Sequence, residues 1–179
     1  MIHPFFQSNE IRVIGEASCL SATETFGQKN QRLPQPKLEK WMNPLHRQAC
    51  LLLQNLLTPH ESDLPSPDER GLIVLIDDTE RGKTEISQAF APNDGEPWKR
   101  VPPLWILNTL PNTTAGHLAI QFQFQGPVFT FAGKASDHLE AASGMATRWL
   151  LSDRCSMVIL ISIDNSLETH CTLLEKQSS

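Results

Sequence analysis

The chain lacks a basic surplus. It has 15 Lys and Arg against 20 Asp and Glu among 179 residues, a formal net charge of −5. Without a run of Lys or Arg it cannot neutralise a phosphate backbone, which excludes nucleic acid or an anionic membrane surface as the main partner. Long apolar runs are also missing. The longest, residues 72–76 and 157–161, fall far short of the roughly 18 residues of a membrane span. No Lys or Arg precedes an apolar stretch in Met1-Ile2-His3-Pro4-Phe5-Phe6, so no secretory signal is read and a cytoplasmic location is expected. The four cysteines (Cys19, Cys50, Cys155, Cys171) form no CxxC pair, and a domain of this size can hold itself together without disulfides. Cys50 and Cys155 lie in apolar segments and are expected to pack as small hydrophobes. No internal repeat or low-complexity tract is present. What remains, at 40% hydrophobic and 20% charged residues, is one globular domain over residues 1–179, with a weakly patterned tail at 165–179 expected to be partly disordered.

Several chemistries are absent too. The six histidines have no HxxxH spacing or matched carboxylate, so neither a metal nor a cofactor is expected; His46 is placed on the solvent side of its helix. The segment LIVLIDDTERGKT, residues 72–84, imitates the end of a phosphate-binding loop. The glycine that loop needs five positions before Gly82 is Asp77 here, and Asp77, Asp78 and Glu80 bring negative charge where phosphate would sit. It reads as a solvated loop. Ser136-Asp137-His138 holds the residue types of a hydrolytic triad, but a triad converges from separate elements. No GxSxG elbow exists. Ser136 or Asp137 reads instead as a helix cap. Trp41, Trp98, Trp105 and Trp149 are read as packing anchors.

What is present is an alternation of elements. Residues 11–17 (IRVIGEA) read as a strand, and 72–76 as a strand buried on both faces. Between them Asn43-Pro44 opens a helix with Leu45, Ala49, Leu52, Leu53 and Leu56 at helical spacing, stopped by Pro59. A short helix is expected at 85–90 and an irregular excursion at 91–103. Asn112 or Thr113 caps a helix to about Phe124, Gly126-Pro127 breaks it, and Val128–Ala132 forms a strand. A second helix covers 136–151 and an apolar strand 157–163. This order predicts an α/β fold: a mostly parallel sheet with helices on both faces.

From Pro102 to Asp164, PPLWILNTLPNTTAGHLAIQFQFQGPVFTFAGKASDHLEAASGMATRWLLSDRCSMVILISID, the sequence resembles the β-ketoacyl synthases of fatty-acid and polyketide assembly. Their pattern is an Asn-rich capped helix, a Gly-Pro turn, a strand leading to the nucleophilic cysteine, a helix rich in small residues and an apolar strand. Residues 11–17 and 72–76 look like the family's first two strands. The resemblance is strongest to the short N-terminal-like proteins of aryl-polyene-type clusters.

The resemblance implies one half of the thiolase fold, and it places the cysteine position at Ala135. A methyl group cannot attack a thioester, so covalent acyl loading is excluded there. The family's active-site histidines lie farther beyond the cysteine than Ser179 lies beyond Ala135. The implied role is therefore a non-catalytic subunit like a chain-length factor, although those usually carry glutamine where Ala135 stands. The implied partner is an active β-ketoacyl synthase in a heterodimer, with an acyl carrier protein as a further candidate. The interface residues implied are Val128, Phe129, Thr130, Phe131 and Ala132, the edge through which family dimers join their sheets. The small residues of the 136–151 helix are expected to leave an apolar patch if unpartnered. The alternative is an acyl-thioester hydrolase or acyltransferase using Ser136 with His138 or His117.

Overall fold

The computed structural model describes residues 10–19, 32–42, 44–77, 110–164 and 168–177. The helix expected at 85–90, the excursion at 91–103, Asn43, Trp98 and Trp105 lie outside them. The elements are β1 (Ile11–Cys19), α1 (Pro44–Leu57), β2 (Arg70–Ile76), α2 (Asn112–Phe122), β3 (Val128–Ala132), α3 (Ala135–Leu151), β4 (Met157–Ile163) and β5 (Thr169–Lys176), with short 3-10 turns at Pro36–Trp41, Thr58–Asp63 and Pro67–Glu69.

The strands form one five-stranded sheet in the order β1-β5-β4-β2-β3. β2 pairs in parallel with β3 and β4, whereas β5 runs antiparallel to both β4 and β1. The expectation of a mostly parallel sheet holds, with β5 as the reversed strand. Alternation along the strands splits the core in two. Leu72, Val74, Ile76, Ile159 and Ile161 point to one face, under the leucines of α1 and Ala115 and Leu118 of α2. Ile73, Leu75, Val158 and Leu160 point to the other, under Ala142, Ala146, Trp149 and Leu150 of α3. Helices therefore cover both faces, and β2 and β4 read as continuous apolar runs because they sit in the middle.

Local geometry explains the joints. A Cβ on Gly126 would lie 2.6 Å from the Arg70 carbonyl oxygen, so only glycine lets the chain turn from α2 into β3 alongside β2. Gln121 and Gln35 are joined twice: the Gln35 N–H donates to Gln121 Oε1 (2.7 Å) and Gln121 Nε2 donates to the Gln35 carbonyl (3.0 Å). This docks the Pro36–Trp41 turn on α2.

Four expectations need correction. The tail at 165–179 is not simply weak: Thr169–Lys176 is β5, an interior strand with Cys171, Leu173 and Leu174 buried. Its pattern was obscured because both of its faces are covered, so Thr169 and Thr172 are buried beside the leucines. The second helix begins at Ala135 with Lys134 as its N-cap, and neither Ser136 nor Asp137 caps it. The helix at Asn112 is likewise preceded by Pro111, with no side-chain cap from Asn112 or Thr113. His46 is not solvent-facing. It is 2% exposed, its ring 4.9 Å from that of His117 where α1 meets α2.

Candidate interface at the β3 edge

β3 lies at one end of the sheet, so its outer side has no strand beside it among the described residues. Two hydrogen bonds fix which groups face outward. The Leu72 N–H donates to the Pro127 carbonyl (2.9 Å), and the Gly133 N–H donates to the Ile76 carbonyl (3.0 Å). Backbone groups of a strand alternate sides, so residues 127, 129, 131 and 133 face β2. Val128, Thr130 and Ala132 therefore present their N–H and C=O groups outward. These five residues carry no charge; Val128 is 41% and Phe129 42% exposed. In parallel register Phe129 aligns with Ile73 and Phe131 with Leu75, which puts both rings on the α3 face. The rings are 4.9 Å apart, and Phe131 stacks at 5.4 Å on His138 of the first turn of α3.

The turn from β3 to α3 depends on Gly133, whose φ of +127° lies in the left-handed region that favours glycine. A Cβ there would also approach His138 Nε2 to 3.1 Å. Ala135 follows as the first residue of α3, half-buried against the Phe131 side of the core. Its methyl group offers no nucleophile, base or hydrogen bond.

The hydrolase alternative does not assemble into a relay in this geometry. Ser136 is exposed and its hydroxyl donates to Asp137 Oδ1 (3.1 Å). His138 is engaged with Phe131, and His117 stands on α2 beneath the opposite face of the sheet. Burial lowers the pKa of His117, which disfavours its protonated form. The thiols are no better placed as nucleophiles. Burial pushes Cys50 up to about 12 and Cys155 up to about 11, and it raises Cys171 as well. No cluster of three or more His, Cys, Asp or Glu able to hold a metal occurs among the described residues, and no helix among them is long and apolar enough to cross a membrane.

A cavity of about 590 Å³ lies at the other end of the strands, where β4 begins and β5 ends. Asp63, Glu69, Asp153 and Glu175 line it, with Asp153 held by Lys176 (2.6 Å) and Glu175 by Arg12. Hydrogen bonds from Ser66 and Ser156 hold the Glu69 carboxyl below the usual range. It does not open towards Ala135.

Comparison with known proteins separates sequence from fold. No family model matches the sequence, and no curated protein does. Solved structures match over nearly the whole chain. The ishigamide ketosynthase/chain length factor matches with a TM-score of 0.67 at 18% identity, over 93% of this chain and 62% of that one. The chain has a ketosynthase-like fold. A type II polyketide ketosynthase, AntDE, solved bound to the hexaketide with its acyl-carrier protein AntF, matches at TM-score 0.64 and 10% identity, over 94% of this chain and 63% of that one. A ketosynthase, ApeO, in complex with its chain length factor, ApeC, from Xenorhabdus doucetiae matches at 0.60 and 10% identity, over 96% of this chain and 81% of that one. The chain thus spans under two thirds of the length of the first two, and the likeness is one of fold. The parity of β3, the Phe131–His138 stack and the role of Lys134 escaped the sequence reading. Only the parity had a usable signal, in the Gly126-Pro127 turn that fixes where the strand starts.

Proposed function

We propose that this chain is a non-catalytic ketosynthase-like subunit that pairs with an active β-ketoacyl synthase during acyl chain elongation, in the manner of a chain-length factor of the aryl-polyene type. The observation that carries the reading is the uncharged β3 edge, open on its outer side among the described residues and joined through one glycine turn to Ala135. A partner strand laid along β3 would bond the outward groups of Val128, Thr130 and Ala132 and cover Phe129. Ala135 then stands as a vacant nucleophile position beside the junction, and the partner supplies the reacting cysteine and histidines. An acyl carrier protein docks on the pair in this reading. The fold shared with the ketosynthase/chain length factor structures supports it, and so does the lack of a relay around Ser136.

The test is co-expression with ketosynthases encoded beside this chain, followed by size-exclusion chromatography and an elongation assay on acyl-carrier thioesters. A stable co-eluting pair whose product length depends on this chain is expected. A chain that never co-elutes and leaves the products unchanged contradicts the proposal.

A further inference from the structure

The outer face of α3 carries opposite charges at equal distances on either side of one glycine. Asp137, Glu140, Ala141, Gly144, Arg148 and Leu151 are all exposed, while Ala142, Ala146, Trp149 and Leu150 on the opposite side seal the core. Asp137, Ala141, Gly144, Arg148 and Leu151 recur at alternating spacings of four and three, the seam of a helix pair. Gly144 marks the middle, and a Cβ there would meet nothing within 4 Å. The face is therefore not the apolar patch expected of its small residues but a low centre flanked by opposite charges. Glu140 precedes Gly144 by as many residues as Arg148 follows it, about 6 Å along the axis on each side. Neither takes part in an ion pair among the described residues.

We infer that this face binds a second copy of the same chain, two α3 helices crossing antiparallel at Gly144. A two-fold axis there brings each residue level with the one equally far on the other side. Glu140 of each copy then faces the partner copy's Arg148, giving two identical ion pairs, and the missing side chain at Gly144 lets the backbones approach. A parallel pairing would instead set Glu140 against Glu140 and Arg148 against Arg148. The charge pattern therefore selects a second copy in one orientation. A single helix pair is a small interface, so the dimer forms reversibly and weakens with salt. β3 remains free in such a dimer, because it lies at the edge of the sheet and not on the α3 face.

Sedimentation velocity on the full chain at micromolar concentrations and low salt tests this. The wild type is expected to show a concentration-dependent dimer. Glu140→Arg and Arg148→Glu each set like charges opposite one another and weaken it at least about tenfold, whereas the double reversal restores it. Gly144→Leu also weakens it, with an unchanged or higher melting temperature showing that the fold survives. The inference is overturned by a wild type that stays monomeric, by a double reversal no better than the single ones, or by loss of ketosynthase binding rather than self-association in the α3 variants. Failure here leaves the β3 reading standing, since that rests on other residues and another binding partner.

Discussion

The two edges of the sheet are built differently. β1 carries Arg12, Glu16 and Ser18 exposed along its length and shifts register between Val13 and Gly15, and Arg12 is tied to Glu175 of β5. Charge and a register shift are the means by which proteins stop an edge strand from recruiting another. β3 has neither: its five residues are uncharged and regularly paired to β2, with Val128 and Phe129 each more than two-fifths exposed. Among the described residues, one sheet thus has a guarded edge and an open one. The contrast teaches that the apolar exposure of β3 is a local property, since the same core underlies both edges.

The largest effect expected tests that shared core. Leu160 of β4 is fully buried in the cluster beneath α3. Leu160→Ala is expected to cost about 2–5 kcal/mol in urea unfolding, in one transition that takes both edges together. Separate transitions for the two edges would break the comparison.

Putting a guard on the open edge comes next. Phe129→Lys is expected to weaken binding to the proposed partner ketosynthase at least about tenfold, roughly 1.4 kcal/mol or more. Stability should fall by no more than about 2 kcal/mol, because the half-buried Phe129 ring loses its contact with Phe131 while the core stays intact. Undiminished co-elution would show that β3 is not the contact.

On the guarded side, Cys171 of β5 lies level with Ala17 of β1. Burial raises its pKa, and that of Cys50 to about 12, above the ordinary 9.0. A raised thiol pKa means that the folded state holds the proton more tightly. This contribution is complete below pH 9.0 and is lost as pH rises towards about 12, because the unfolded thiols ionise first. The thiols should therefore leave the melting temperature unchanged through neutral pH and lower it in alkali. A flat alkaline profile would contradict the burial of these thiols.

The smallest effect is expected at the guard itself. Arg12 is 61% exposed, and such surface ion pairs contribute about 0–1 kcal/mol. Arg12→Ala should change stability by less than about 1 kcal/mol and leave ketosynthase binding untouched. A loss of binding would move the interface to β1.

Much of this architecture was legible in the sequence, for a physical reason that also explains the failures. β2 and β4 are central parallel strands under helices on both faces, so their apolar runs carry a strong signal. α1 was found from its leucines and β3 from the Gly126-Pro127 break. β5 is equally interior, but Thr169 and Thr172 occupy buried positions and hide the pattern. His46 was misjudged because its exposure depends on α2, which reaches α1 only in the folded chain. The expected cap of α3 fails because Gly133, by its positive φ, rather than a polar side chain, shapes the entry to that helix, and α2 is entered from Pro111 instead. The proposed reading of Ala135 as a vacant nucleophile position rests on resemblance alone, since an alanine advertises nothing by itself.

The account turns on the outward groups of β3, and Thr130→Pro isolates them. The Thr130 N–H faces away from β2, and proline is tolerated on the outer side of an edge strand, so the substitution removes an outward donor without breaking the β2–β3 ladder. The decisive measurement is the dissociation constant between the proposed partner ketosynthase and this variant, with circular dichroism melting as the control for folding. The account predicts a loss of at least about tenfold at an unchanged melting temperature. Wild-type affinity for the Thr130→Pro protein would contradict it.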